Sequence, residues 1–362
     1  MKPRDESELA EAIRAAAGPL RVAGGGTRPV VRAQGDALHT NGLTGVHLYE
    51  PAALTLVVGA GTPLAEVEAL LAGERQRLGF EPVRWGALLG AVGESTIGGV
   101  VAANVSGPRR VQTGACRDAL IGARFVDGRG EVVKSGGRVM KNVTGYDLVK
   151  LMTGSWGQLG VLSEVAFKLQ PAAASEATLV LEGLDAGEAV AAMAAALGSP
   201  FDVSGAGWMP DVGAMLRLEG LAESVAYRVA RLSAALARFG TARIEREGSG
   251  ALWRALGEVA PLHGLAGVVW RFSLKPSEAP RVVARLDCPV VLDWGGGLIW
   301  AVLPEGIDAR ALAAPYSGHA TLMRGKGVVF QPEAPAVTAL GNGLRAKFDP
   351  RGLFSGGVGD GI

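Results

Sequence analysis

The sequence is poor in residue types on which whole classes of protein depend. Its 362 residues include only two cysteines, Cys116 and Cys288, and four histidines. The cysteines lie far apart and outside any C-x-x-C pattern, so the chain by itself provides neither an iron–sulfur site nor a disulfide framework. This usage is typical of a reducing cytoplasm, where we expect the protein to be.

An excess of charge of one sign is also lacking. The 36 basic and 35 acidic residues give a formal net charge of +1, and we therefore expect no nucleic-acid partner. The first residues, MKPRDESELAEAIR, are charged where a secretory signal would be apolar. Residues 87–107 are weakly polar but are interrupted by Glu94, Asn104 and many glycines, so we expect no membrane-spanning segment.

Glycine, in contrast, is abundant, with 54 residues dispersed along the chain, which predicts many tight turns and close approaches of the backbone. The length predicts two domains. The composition changes after Pro171, and we divide the chain into residues 1–170, 171–330 and a closing segment, 331–362.

Hydrophobic patterning predicts an α+β fold in both domains. In the first domain, Thr62 and Pro63 form a good N-cap and first residue for a helix that runs to Leu71. The other predicted elements there are a helix at 5–17, strands at 20–23, 45–49, 54–59 and 160–169, and a hairpin at 119–136 that turns at 127–130. Those of the second domain are helices at 186–197, 223–239 and 250–259 and strands near 215–218, 267–274, 289–292 and 298–303.

A glycine loop, RVAGGGTRP at residues 21–29, follows the first predicted strand. It lacks the Gly-Lys-Ser/Thr ending of a Walker loop, and Pro29 is unsuited to the helix that a dinucleotide G-x-G-x-x-G loop opens. Consecutive backbone N–H groups can still form an anion-binding nest, with the Thr27 hydroxyl as a further donor. The alternative is a glycine-rich turn with no ligand.

Two further segments are rich in small residues: GESTIGGVVAANVSGPRR (93–110) and GGRVMKNVTGYDLVKLMTGSWGQLGVLSEV (136–165). Together with the glycine loop they resemble the PCMH-type FAD-binding domain of the vanillyl-alcohol-oxidase flavoprotein superfamily. The resemblance implies an FAD-binding domain of two α+β subdomains and an α+β cap domain with an antiparallel sheet. It also implies that the closing segment, which contains RAKFDPRGLF at 345–354, returns to the FAD-binding domain.

The resemblance also assigns roles to residues. Gly24, Gly25, Gly26 and Thr27 would hold the diphosphate of FAD. The residues that would line the flavin are Thr96, Gly98, Gly99, Asn104, Ser106 and Gly107. Gly157, Gly160 and Val161 would bring backbone to the rest of the dinucleotide. In this superfamily a histidine in or near the loop can bond to the flavin, but this loop carries Thr27 and Arg28, so we expect non-covalent FAD.

Within the superfamily, the KNVTGYD motif (141–147) and the short chain look most like the smaller flavin-binding subunit of bacterial glycolate oxidases, which convert glycolate to glyoxylate. That resemblance implies a larger FAD-containing subunit and an iron–sulfur subunit as partners. It also implies a cytoplasmic location, or one peripheral to the inner membrane through the complex. Two other hypotheses remain: a stand-alone FAD-dependent 2-hydroxy-acid dehydrogenase, and a structural subunit without flavin.

The segment VLDWGGGLIWAVL (291–303) bears on the choice between these hypotheses. In the 2-hydroxy-acid dehydrogenases that the chain resembles, the corresponding segment reads G-H-x-G-D-G-N-x-H, and its two histidines bind a divalent metal. Aligned by its glycines, this chain has Asp293 and Trp300 at those positions. Indole has no lone pair for a metal, so we expect no metal site and no oxidation of a hydroxy acid by the isolated chain. The alternative is that the segment is only a hairpin.

Several other residues have two interpretations, and we name no catalytic residue. Lys141 and Asp147 can be a catalytic charge pair or a helix cap and surface ion pair. Tyr146 is expected to pack in the core, and Arg109 and Arg110 are expected to be solvated. The five tryptophans of the second domain are expected to form core or to face a partner: Trp208, Trp253, Trp270, Trp294 and Trp300. The isolated histidines are not expected to bind metal: His39, His47, His263 and His319.

Overall fold

Two β-sheets, one in each half of the chain, organise the fold. The computed structural model describes residues 1–30, 34–137 and 145–354. The chain begins with helix α1 (Glu6–Ala15), whose N-cap Asp5 accepts a hydrogen bond from the Glu8 N–H. A parallel pair of short strands follows, β1 (Leu20–Ala23) and β2 (Asp36–His39). The glycine loop connects these two strands.

The first sheet has the strand order β3-β4-β8-β6-β7, with β5 paired to β8. Its strands are β3 (Val46–Glu50), β4 (Thr55–Gly59), β5 (Gln76–Leu78), β6 (Leu120–Val126), β7 (Val132–Gly136) and β8 (Val161–Pro171). The helices around it are α2 (Leu64–Gly73), α3 (Gly86–Leu89), α4 (Ile97–Ala102), α5 (Arg110–Thr113), α6 (Cys116–Ala119) and α7 (Leu148–Met152).

The second sheet has eight strands, all paired antiparallel, in the order β12-β9-β11-β10-β14-β15-β13-β16. Its strands are β9 (Ser175–Leu181), β10 (Gly205–Met209), β11 (Gly213–Gly220), β12 (Arg243–Glu245), β13 (Val268–Leu274), β14 (Val290–Asp293), β15 (Leu298–Leu303) and β16 (Gly318–Arg324). Its helices are α8 (Ala186–Leu197), α9 (Ala222–Ala235), α10 (Ser249–Gly257), α11 (Ala279–Leu286) and α12 (Ala309–Ala313). Short 3₁₀ turns lie at Pro51–Ala53, Ala237–Phe239, Ala260–Leu262, Pro276–Glu278 and Trp294–Gly296.

The second sheet is buried on both faces, because alternate side chains of a strand point to opposite sides. Trp300 and Val302 of β15 join the same apolar cluster as residues of the first domain. Ile299 and Ala301, the intervening residues, join the cluster formed with the helices of the second domain. The first domain thus covers one face of this sheet, which explains why β15 is apolar throughout.

The closing segment forms helix α13 (Pro335–Phe348) and then contacts the first domain. Phe348 packs against Phe125 with ring centres 6.0 Å apart. Beyond the helix, the Leu353 carbonyl accepts a hydrogen bond of 2.7 Å from the Leu20 N–H. The chain changes sheet between Pro171 and Ser175, and the divisions at residues 170 and 330 remain a prediction.

The α+β architecture with an antiparallel second sheet is as predicted, and the helix at 186–197 has the predicted bounds. The start of α2 differs from the prediction. Pro63 is its N-cap, and the Thr62 hydroxyl instead accepts a hydrogen bond of 3.0 Å from the Gly45 N–H. Thr62 therefore ties α2 to the preceding hairpin and does not cap the helix.

Candidate cofactor site

A cavity of about 290 Å³ lies beside the glycine loop and brings together most of the residues predicted to bind FAD. Predicted residues that line it are Gly24, Gly25, Gly26, Thr27, Thr96, Gly98, Gly99, Gly157, Gly160 and Val161. Three separate chain segments thus meet at one cavity, as the sequence predicts.

The glycine loop packs so closely against residues 93–96 that two of its glycines have no room for a side chain. A Cβ on Gly25 would lie 1.5 Å from the Glu94 carbonyl oxygen, and one on Gly24 would lie 2.3 Å from the Thr96 Oγ1. The buried Thr27 hydroxyl forms a hydrogen bond of 3.1 Å with that of Ser95. Gly26 differs, since it has φ +69° and a Cβ there would meet open space.

Helix α4 forms the next part of the wall. Its N-cap Thr96 accepts a hydrogen bond from the Gly99 N–H. A Cβ on Gly98 would lie 2.6 Å from the Ala60 carbonyl oxygen, so glycine lets the helix approach the end of β4. The small residues of TIGGVVA therefore serve packing between the helix and the first sheet as well as lining the cavity.

The third wall is the turn before β8. Trp156 has φ +53° and Gly157 has φ +77°, both in the left-handed region. The Trp156 N–H donates to the Ala102 carbonyl at 2.9 Å, which holds the turn against the end of α4. Gly160 has φ +153°, and a Cβ there would lie 2.8 Å from the Val126 carbonyl oxygen. Glycine is therefore required at 160 by backbone packing.

Three predicted residues lie elsewhere. Asn104 lines an adjoining cleft, with its side chain accepting a hydrogen bond from the Arg117 N–H. Ser106 and Gly107 line neither cavity. The Ser106 hydroxyl accepts from the Cys116 N–H at 3.0 Å, and the Gly107 carbonyl accepts from the Trp294 Nε1 at 3.1 Å. Ser106 and Gly107 therefore make structural contacts, Ser106 with helix α6 and Gly107 with Trp294 of the second domain.

The adjoining cleft is larger, about 690 Å³, and lies between the first domain, the second sheet and α13. It shares Ala103, Ser155 and Trp156 with the first cavity. A third cavity of about 590 Å³ lies on the other side of the glycine loop and shares Arg21, Gly24, Gly25 and Gly26 with the first. The three cavities therefore form an elongated cleft that passes the glycine loop.

Three arginines line the larger cleft without a carboxylate partner among the described residues, Arg110, Arg271 and Arg345, against one acidic residue, Glu333. Arg271 of β13 and Arg110 of α5 stack on Trp294, with guanidinium carbons 5.2 Å and 4.5 Å from the ring centre. The Arg271 Nε is buried without a hydrogen-bond partner. Burial lowers the pKa of Arg271 to about 10, and Arg110 acts in the same direction. Both side chains remain cationic at neutral pH, so the cleft favours an anion.

The residues aligned with the metal-binding histidines lie in the predicted hairpin of β14 and β15. Asp293 is buried, which raises the pKa of its carboxyl to about 8, although the Trp294 N–H donates to it at 2.7 Å. Trp300 is buried and packs edge-on against Trp85, with ring centres 5.0 Å apart. Among the described residues, no group of three or more His, Cys, Asp or Glu side chains could hold a metal ion.

The structure decides between the interpretations of several residues that the sequence left open. Asp147 is the N-cap of α7, whereas Lys141 lies outside the described residues. Tyr146 is 91% exposed, so its expected place in the core is wrong. Arg109 is buried and pairs with Glu219 at 3.0 Å, so its expected solvation is wrong too. All five tryptophans are buried.

Arg109 is part of an ion-pair network between the domains. The Arg217 guanidinium donates to both oxygens of Glu81 at 2.9 Å. Glu219 accepts from Arg77 at 2.6 Å and from Arg109 at 3.0 Å. Burial opposes ionisation of Glu81, but Arg217 and Arg109 hold the pKa of its carboxyl at about 2. The network fixes the second sheet on the first domain.

The cleft fits FAD, which is an elongated ligand with an anionic diphosphate near its middle. Beside the glycine loop the walls are backbone and small side chains, and the larger cleft adds aromatic and cationic groups. Sequence reasoning missed the cationic residues Arg28, Arg110 and Arg271. The arginine directly after GGGT was a visible signal, but the other two are brought to the cleft only by the second sheet and its neighbours.

Comparison with known proteins agrees with this site. The sequence profile of the family described as "FAD binding domain" matches residues 1–136. Alkyldihydroxyacetonephosphate synthase has the same fold, with a TM-score of 0.70 at 15% identity over 98% of this chain and 75% of that one. Fold and profile together define a protein with an FAD-binding domain.

A curated relative that matches along most of its length identifies the family, and a second matches a shorter segment. Glycolate oxidase subunit GlcE of Escherichia coli (strain K12) is 35% identical over 334 residues, which cover 91% of this chain and 88% of the relative. Glycolate oxidase subunit GlcD of Bacillus subtilis (strain 168) is 40% identical over 94 residues, 25% of this chain and 20% of the relative. The chain belongs to the glycolate oxidase subunit GlcE family.

Proposed function

We propose that this chain is the FAD-binding subunit of a complex that oxidises glycolate to glyoxylate, and that the hydroxy acid is oxidised on another subunit. The similarity to GlcE along 91% of the chain carries the first part of this proposal. The absence of a metal-binding pair at Asp293 and Trp300 supports the second part, because one carboxylate alone rarely holds a catalytic ion.

The chain's own residues would bind and orient the cofactor. The backbone N–H groups of residues 24–27 would surround the diphosphate, and the turn at 156–161 and helix α4 would hold the neighbouring parts of the molecule. FAD bound here would take up and give out electrons, a chemistry that the side chains do not supply. We propose non-covalent binding because the glycine loop carries Thr27 and Arg28 and no histidine, although His39 and His319 line the two neighbouring cavities.

Electrons must then leave for another protein. Cys116 and Cys288 are too far apart in sequence for a cluster motif, and burial raises the pKa of the Cys116 thiol above its ordinary value. We therefore propose a larger flavin subunit and an iron–sulfur subunit as partners. No helix in the described part of the chain is long and apolar enough to cross a membrane. We propose a cytoplasmic location, with any membrane association made through the complex.

One observation favours a second candidate function, a stand-alone 2-hydroxy-acid dehydrogenase. The unpaired Arg271 in the larger cleft is a suitable partner for a small carboxylate. This candidate differs from the first in where the substrate is oxidised, and the following experiment separates them.

The test is an anaerobic titration of the purified chain with glycolate and with D-lactate, followed by visible absorbance. We expect about one FAD per chain, released into the supernatant by acid precipitation, and no bleaching until the larger flavin subunit is added. Rapid bleaching by the chain alone, abolished by a chelator, would establish the stand-alone dehydrogenase. A colourless chain that takes up no added FAD would establish a flavin-free structural subunit.

A further inference from the structure

Arg28, directly after the glycine loop, has hydrogen-bonding capacity that the described protein leaves unused. Its Nη2 donates to the Val83 carbonyl at 3.0 Å, and its Nη1 makes a long contact of 3.5 Å with the Thr27 hydroxyl. Its Nε is buried and has no hydrogen-bond partner. The guanidinium carbon lies 5.7 Å from the centre of the Trp85 ring. Arg28 lines the 290 Å³ cavity.

The charge of Arg28 is also unbalanced. Arg217, which is fully buried, has Glu81 within 2.9 Å, whereas no carboxylate of the described residues lies within ion-pair distance of Arg28. Among the described residues, the lining of the 290 Å³ cavity has no acidic side chain, and its charged members are Arg21 and Arg28. Burial lowers the pKa of Arg28 to about 10, so the side chain stays cationic at neutral pH. A partly buried cation without a partner destabilises the fold unless an anion joins it.

We propose that Arg28 is the counter-cation for the diphosphate of the bound dinucleotide. The proposal rests on the FAD-binding function proposed above and adds a charged side chain to a site otherwise made of backbone donors. The diphosphate carries the only formal charges of oxidised FAD at neutral pH. A guanidinium with free N–H groups matches phosphate oxygens in both charge and geometry. Arg28 therefore makes the site selective for a dinucleotide over riboflavin.

The experiment compares full-length wild-type chain with Arg28→Gln and Arg28→Lys, each freed of cofactor. Arg84→Gln is the matched control, because the charge of Arg84 acts on Arg28 but Arg84 pairs with Glu68 at 2.5 Å and is 40% exposed. Dissociation constants are measured by calorimetry for FAD, ADP and riboflavin at low and high salt. The melting temperature of each ligand-free variant reports whether it folds.

We expect Arg28→Gln to weaken FAD and ADP binding by about ten- to a hundredfold, as for loss of a charge-assisted hydrogen bond, and to leave riboflavin binding unchanged. Arg28→Lys should lose less FAD affinity than Arg28→Gln, because lysine keeps the positive charge, although it lacks the planar guanidinium. Salt should weaken FAD binding more in the wild type than in Arg28→Gln. The ligand-free Arg28→Gln chain should melt no lower than the wild type, because an unpaired cation has been removed.

Three outcomes would overturn the proposal. The first is FAD and ADP binding by Arg28→Gln with wild-type affinity. The second is an equal loss of riboflavin, which would assign Arg28 to the flavin ring. The third is an equal salt dependence of FAD binding in the wild type and in Arg28→Gln, which would show that the charge of Arg28 does not act on the diphosphate. Failure of the wild-type chain to bind any of the three ligands would instead refute the proposed function itself.

Discussion

Gly25 and Gly26 are neighbours in the glycine loop, but the structure predicts different consequences for replacing them by alanine. A Cβ on Gly25 would lie 1.5 Å from the Glu94 carbonyl oxygen, which is backbone and cannot turn aside. A Cβ on Gly26 would meet no protein atom within 4 Å, and the residue lines the cavity. Gly25 is thus required for the packing of the glycine loop against residue 94. Gly26 is required because its φ is +69° and because a side chain there would project into the cavity.

The expected magnitudes follow from these geometries. Overpacking at a well-packed site destabilises by about 1–3 kcal/mol, and a contact of 1.5 Å with backbone puts Gly25→Ala at or above the top of that range. Placing alanine in the left-handed region at Gly26 costs about 1–2 kcal/mol. The Gly26→Ala methyl group would project into the cavity, so we expect it to weaken FAD binding more than it lowers stability.

The assay is a denaturant titration of each variant without cofactor and with saturating FAD, together with the dissociation constant for FAD. Gly25→Ala should be destabilised in both conditions, whereas Gly26→Ala should be mildly destabilised without cofactor and should gain much less than the wild type when FAD is added. A matched control is Gly18→Ala, because a Cβ at Gly18 meets nothing and its φ is not in the left-handed region. The reasoning is refuted if Gly25→Ala is as stable as the wild type, or if Gly26→Ala keeps full FAD affinity.

Two other predictions concern the second domain. Glu219→Ala removes the partner of the buried Arg109 and should lower the free energy of unfolding by about 3–5 kcal/mol in a denaturant titration. The control Glu182→Ala, at an exposed ion pair, should change it by less than about 1 kcal/mol. Equal effects of the two substitutions would contradict a structural role for the network. The pKa of Asp293 is about 8 in the folded protein, above the ordinary 3.8. Between these two values the folded state binds a proton that the unfolded state has lost, so the free energy of unfolding falls as the pH rises from about 4 to about 8. Asp293→Asn should therefore lose less stability than the wild type between pH 5 and about 8, and parallel pH profiles would contradict the assignment.

The parts of the site that could be predicted from the sequence are those that depend on local backbone. Composition singles out the three glycine-rich segments, and their resemblance to the flavoprotein superfamily assigns Gly24, Thr96 and Gly157 to one site. In the structure these three residues line one cavity. The hairpin around the glycines at 295–297 was predicted for the same reason, since turn residues between two apolar runs specify a hairpin locally. The prediction that the first domain is followed by a second α+β unit likewise rested on local periodicity.

The parts that could not be predicted depend on partners far away in the chain. The Gly107 carbonyl accepts from Trp294, 187 positions away, and Arg109 meets Glu219, 110 positions away. Sequence reasoning therefore put Gly107 at the cofactor and Arg109 in solvent. That Arg28 has no carboxylate partner among the described residues could not be predicted either, because it depends on the positions of all the segments that surround it.

Residues 93–110 connect the cofactor cavity to the second domain. At one end, the Glu94 carbonyl and the Ser95 hydroxyl contact the glycine loop. At the other end, Arg109 enters the ion-pair network and Arg110 stacks on Trp294. Residues 93–110 therefore form one continuous segment that packs on the glycine loop, lines the cofactor cavity at Thr96 and lines the larger cleft at Arg110.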